Sequence, residues 1–139
     1  MENVLKSKIA IAIVLALCLV LSAGTTAQTG SHGSVVNATF TSNVVDGSPV
    51  DFREQFSNTA PVVYFYGELL DLGGQTVEHR WSLEGKVMQE VPIQVTRSRQ
   101  PTWSQMAMKP DWTGNWTVEV VNANGEVIGM KNFAFNPPL

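Results

Sequence analysis

Two histidines, four tryptophans and a scatter of carboxylates are the side chains in this sequence with the most chemical leverage. His79 stands in Glu78-His79-Arg80-Trp81, and Glu90 follows shortly after. An imidazole beside a carboxylate is the usual acid–base pair. Alternation along a strand, however, sends Glu78 and Glu90 to the face opposite His79. The plainer reading is a partly buried histidine bonded to Gln89 or to backbone. His32 lies in a stretch of small residues, so a metal site built from both histidines would be poorly held. Cys18 is the single cysteine and precedes the mature region, which leaves no thiol nucleophile there. The chain also lacks a Gly-x-Ser-x-Gly elbow and a phosphate-cradling glycine loop. Asp51/Glu54 and Glu68/Asp71 are carboxylate pairs near loops, where solvated charge is the default. These residues predict a protein that is not an enzyme, with no metal and no cofactor. A small enzyme centred on His79 is the third reading.

Binding has more support. Trp81 and Trp116 alternate with apolar residues and are expected to be packing anchors. Trp103 and Trp112 fall in turn-rich sequence near Arg97, Arg99 and Lys109. Aromatic rings beside cations suit a carbohydrate, an acidic polymer or a partner protein. The candidate binding set is therefore Trp103, Trp112, Arg99 and Arg80. The competing expectation is that Trp103 and Trp112 plug one end of the fold. Asn37-Ala38-Thr39 and Asn115-Trp116-Thr117 match the N-glycosylation pattern, but both fall in predicted strands and are read as chance.

Alternating apolar residues mark the elements that carry these side chains. Val36, Ala38 and Phe40 alternate with polar residues in a first strand. Val62 to Phe65 is a continuous apolar run, as expected of a strand central in its sheet. With Val77–Trp81 and Val87–Val95 it reads as a three-stranded meander joined by turns at Gly73-Gly74 and Gly85. A three-residue loop, Leu83-Glu84-Gly85, would set Trp81 opposite Val87, His79 opposite Gln89 and Val77 opposite Val91. Arg80 then sits between Glu78 and Glu90 on the outer face. Phe52 and Phe56 suggest a helical turn or an irregular edge. Arg97 to Pro101 reads as a polar connection, and Thr102–Met106 as a short strand. Trp116-x-Val118-x-Val120 is a further strand, and Asn124-Gly125 a hairpin turn. That hairpin would place Val120 opposite Ile128, with a bulge near Lys131 to bring Phe133 and Phe135 into phase. About seven strands, with no amphipathic helix of useful length, predict an antiparallel immunoglobulin-like β-sandwich.

The N-terminus carries an address. Lys6 and Lys8 precede an apolar run from Ile9 to Leu21. As a helix it spans roughly 20 Å, short of the ~30 Å hydrocarbon core. Small residues follow, and Thr25-Thr26-Ala27 fits a signal-peptidase site. The expectation is a signal peptide over 1–27, cut after Ala27 or Ala23, with an uncleaved anchor as the alternative. The bulky Leu17 before Cys18 argues against lipid attachment. Residues 28–34 read as a flexible lead and 35–136 as the folded domain. Without disulfides, that domain must stand on packing alone, which a chain of this size can do. A net charge of −3 and the lack of a basic run argue against nucleic-acid binding.

Several segments together resemble the domain of unknown function 2914. They are Ala38-x-Phe40-Thr41, Pro49-Val50-Asp51, Tyr64-Phe65-Tyr66 and Gly74-Gln75-Thr76-Val77-x-His79-Arg80-Trp81. Gly85-Lys86-Val87, Val91-Pro92, Trp103-Ser104, Gly114-x-Trp116-Thr117-Val118 and Phe133 complete the set, of which His79-Arg80-Trp81 is the most specific. The sequence departs from the family pattern at Arg99-Gln100-Pro101, where an aromatic stands between two arginines, and at Gln105, where a lysine is expected. Both departures weaken a basic site near Trp103. The resemblance carries no activity with it. It implies a short bacterial domain in an envelope or periplasmic setting. The first reading of the whole sequence is an exported, periplasmic or secreted, non-enzymatic module that binds an envelope protein or a polysaccharide, and the second is a carbohydrate-binding module using Trp103 and Trp112.

Overall fold

A computed structural model describes residues 33–139. The proposed signal segment, Cys18, His32 and most of the expected lead lie outside them. Strand β1 begins at Ser34, so that residue belongs to the fold and not to the lead.

Seven long strands build two facing sheets. β1 (Ser34–Thr41), β5 (Val62–Leu70) and β8 (Arg99–Ala107) form one, in the order β1-β5-β8. β6 (Thr76–Leu83), β7 (Lys86–Gln94), β9 (Gly114–Val121) and β10 (Val127–Asn136) form the other. Its order is β10-β9-β6-β7, extended at one edge by the short β4 (Gln55–Ser57). β2 (Val44–Val45) and β3 (Ser48–Pro49) make a separate small hairpin. Lettered a to g in chain order, the long strands give sheets a-b-e and g-f-c-d. This is the immunoglobulin arrangement with its fourth strand moved to the second sheet. The expected sandwich is present, with one qualification: β4 pairs with β10 in parallel.

The predicted meander is not formed. β5 and β6 lie in different sheets, and residues 71–75 carry the chain across the core. Residues 95–98 make the return crossing beside them. Asp71 N–H donates to Ser98 O at 2.7 Å and Gly74 N–H to Val95 O at 2.8 Å. Leu72 and Val95 are buried there. Glycines at Gly73-Gly74 suit a hairpin and a crossover equally well, because both need a sharp change of direction.

The β6–β7 hairpin differs from its predicted register. Glu84 and Gly85 form a two-residue turn, both with positive φ (48° and 83°). An irregularity between Trp81 and Ser82 then shifts the pairing, so that Trp81 faces Gln89, His79 faces Val91 and Val77 faces Ile93. The face assignment survives beyond the irregularity, whereas Val87 moves to the outer side. The β9–β10 hairpin has its bulge at Ile128, earlier than expected near Lys131. This places Phe133 opposite Trp116 and turns Met130 outward. The segment 97–101 is only partly a connection, since β8 starts at Arg99. Phe52 and Phe56 flank an irregular edge, with no helical turn between them.

Aromatic rings fill the space between the sheets. Phe40, Phe65, Trp81, Trp116 and Phe133 are buried, and Phe133 stacks on Trp116 at 5.9 Å between centroids. Trp81 and Trp116 are the packing anchors their alternation predicts.

Candidate functional site

His79 lies in this core and is 0% exposed. Its partner is neither Gln89 nor backbone but Ser104 from the opposite sheet, with Nδ1 2.8 Å from the hydroxyl. Trp81 Nε1 also donates to Ser104 Oγ, at 3.0 Å. If the serine proton goes to Nδ1, the imidazole proton sits on Nε2, which has no partner. The other tautomer leaves both the serine proton and the Nε2 lone pair unused, so the first is favoured. Burial lowers the imidazole pKa from 6.5 to about 4. A neutral ring enclosed by Phe65 and both sheets offers neither nitrogen to a substrate.

The candidate binding residues occupy separate regions. Arg80 points out from the β10-β9-β6-β7 sheet, among Glu78, Glu90 and Glu119 at 3.3–3.4 Å. The predicted network is thus present and gains Glu119 from β9. Arg99 and Trp103 point outward from β8, on the other sheet. Arg99 pairs with Glu68, and Trp103 is 45% exposed, opposite Tyr66. Trp112 lies in the loop after β8, half-buried against Trp116, with the Lys109 ammonium 4.9 Å from its ring. Trp103 and Trp112 therefore belong to different surfaces: one is on a sheet face, and the other helps close an end of the sandwich.

A different place gathers more functional groups. At the open side of the sandwich, between edge strand β1 and β10, lies a cleft of about 980 Å³. Its walls include Asn37, Thr39, Pro49, Phe52, Glu54, Tyr66, Glu68, Lys131 and Asn132. Each wall has a local cause. Asn37 adopts φ 54° in a bulge of β1, where the pairing jumps from Val36–Glu68 to Thr39–Tyr66. The extra residue tips the Asn37 amide toward Glu68, to which it donates at 3.2 Å. An Asp46-Gly47 turn at φ 50° and 74° folds β2–β3 back near Trp103, and Ser48 and Pro49 line the cleft.

The Asp51 carboxylate fixes the remaining wall. It accepts from Ser42 N–H, Ser42 Oγ and Thr41 Oγ at 2.8 Å each, and from Arg53 Nε at 2.6 Å. Burial alone would raise its pKa. The bonds from Ser42, Thr41 and Arg53 outweigh that effect and hold it well below the usual carboxylate range. Arg53 N–H is in turn tied to Phe40 O at 2.9 Å. Between these two anchored residues, Phe52 projects with 79% of its surface exposed. The Tyr66 phenol pKa is raised, mainly by burial and then by the Glu68 charge. Its hydroxyl makes no hydrogen bond among the described residues.

Sequence reasoning passed over this cleft. The sequence suggests a helical turn or an irregular edge at Phe52, and gives Tyr66 no role in a site. The available signal was Pro49-Val50-Asp51, whose aspartate is surrounded by hydroxyl and amide donors.

Comparison with family models finds a match to a family described as a protein of unknown function, DUF2914, over residues 74–135. Over those residues the chain is similar to DUF2914. The match is shorter than the resemblance traced from Ala38 to Phe133. It starts at the β5–β6 crossover and covers β6 to β10, with His79-Arg80-Trp81 inside it. Of the cleft, Lys131 and Asn132 fall within the DUF2914 segment, while Asn37, Phe52 and Tyr66 precede it. A search of curated proteins returned no match.

Proposed function

We propose that this protein is a non-enzymatic binding module of the cell envelope, exported by its N-terminal segment, and that it engages its partner through the cleft beside β1. One observation carries the reading: Phe52 is an exposed ring held between two immobilised residues at the rim of a cleft with unused hydrogen-bonding groups. Isolated exposed apolar residues are ordinary. Here the loop is anchored on both sides, so the backbone that presents the ring is set before any ligand arrives and less ordering cost remains. The inaccessibility of His79 supports binding over acid–base catalysis.

The test maps backbone amide shifts of isotope-labelled protein during titration with fractionated envelope extract. Shifts should cluster on residues 37–40, 52–55 and 131–132. A binding fraction that leaves those amides unmoved overturns the reading. Export is checked by N-terminal sequencing of protein recovered from the periplasm or medium of a bacterial host. The expected new terminus follows Ala27 or Ala23, and retention in the cytoplasm would refute the setting.

A further inference from the structure

Resting on the cleft reading above, we infer that the ligand is an uncharged oligosaccharide, held with one sugar face against Phe52 and its hydroxyls among the polar groups of the cleft. The charge balance narrows the class. Arg53 is paired with Asp51, and Glu68 with Arg99. Among the described residues Lys131 and Glu54 make no ion pair, so the cleft offers one free charge of each sign. An anionic polymer would meet Glu54 as well as Lys131 and gain little, and a cationic one would meet the same two charges.

The unused hydrogen-bonding groups are of both kinds. Lys131, on the cleft wall, supplies an ammonium donor. Asn37 donates to Glu68, which leaves its Oδ1 as an acceptor. Tyr66 supplies a hydroxyl that both donates and accepts. Sugar hydroxyls also do both, so a mixed set of side-chain donors and acceptors matches them. The ring C–H face of a sugar supplies the apolar contact that Phe52 requires. The cleft volume of about 980 Å³ falls at the upper end of the range for small-ligand sites, which runs to roughly 1,000 Å³.

An extended peptide fits less well. Adding a strand to β1 needs a regular row of backbone donors and acceptors. The bulge at Asn37 breaks that row, and Phe40 O is already taken by Arg53. Recognition at this edge falls to side chains.

The experiment titrates the purified full-length protein separately with cellotriose, maltotriose and chitotriose, with digalacturonate, and with an alternating Thr-Val octapeptide, following amide shifts and affinity. The expected result is saturable binding of at least one neutral trisaccharide with shifts at the cleft. Phe52→Ala should weaken it about tenfold and Tyr66→Phe by several-fold, while Trp112→Phe, on a different surface, leaves it unchanged. Failure of all three neutral sugars overturns the inference. So does loss of sugar binding in Trp112→Phe with none in Phe52→Ala. If the octapeptide or digalacturonate moves the cleft amides and the sugars do not, the oligosaccharide fails while the cleft stands as the binding site. Sugar binding with shifts confined to other surfaces defeats both.

Discussion

His79 shows what a single buried titratable group does to a fold that depends on packing alone. Its pKa is about 4 in the folded protein and near 6.5 when the chain is unfolded. Above pH 6.5 neither state binds the proton, and the histidine adds no pH dependence. Between pH 6.5 and about 4 the unfolded chain takes up the proton and the folded one does not. The His79 contribution to stability therefore falls as pH drops, by about 1.4 kcal/mol per unit across that window, and levels off below it. Urea denaturation from pH 7.5 to 4 should show this slope. A His79→Gln variant should lose most of the wild-type decline between pH 6.5 and 5; an unchanged slope would mean that another group controls it. Trp81 and Trp116 set the scale for purely apolar loss at the same place. Each is fully buried, so truncation to Ala should cost roughly 3–5 kcal/mol by the same assay.

Individual elements show where local sequence determined structure and where it did not. The Glu84-Gly85 turn requires φ 83° at Gly85, and Gly85→Ala should cost about 1–2 kcal/mol by urea denaturation, as a left-handed position does for any residue with a Cβ. Glu84 tolerates φ 48° because its carboxylate accepts from Asn115 N–H at 2.7 Å and its own N–H donates to Asn115 O at 3.0 Å. That contact lies more than thirty residues away in sequence, which is why a loop of three residues looked as good as one of two. Alternation identified the strands and their inward faces, because period 2 is a property of the strand itself. Which strands pair is a property of the two sheets together. The crossover at Gly73-Gly74 and the bulge at Ile128 therefore had no local mark. The cleft was hidden for the same reason: Asn37, Phe52, Tyr66 and Lys131 come from four distant segments, and only a bulge and a carboxylate knot bring them together. Asp51→Ala should test the knot, leaving β5 to β10 protected in hydrogen exchange while amides 42–54 lose protection by tenfold or more.

At the scale of the whole molecule, the four tryptophans report how the sandwich divides its surface from its interior. Trp81 and Trp116 lie between the sheets, Trp112 is half-buried against Trp116, and Trp103 stands on an outer face. Acrylamide reaches an indole only where solvent does, so the folded protein should show a quenchable fraction with a red-shifted spectrum and a protected fraction with a blue-shifted one. Trp103→Phe should remove most of the quenchable part, whereas Trp112→Phe should remove a smaller one. Urea should merge the two into a single accessible population. Uniform protection would mean that the outer face of β1-β5-β8 is covered in solution, by a second copy or by a segment outside residues 33–139, and sedimentation would separate those two cases. Uniform quenching in the absence of urea would mean that the sheets do not pack as described. The same titration bears on the cleft. Trp103 lies opposite Tyr66 on neighbouring strands, and the Asp46-Gly47 turn approaches its ring. A neutral oligosaccharide seated against Phe52 should therefore leave the protected indoles unchanged and shift only the emission of Trp103, the indole beside the β2–β3 hairpin.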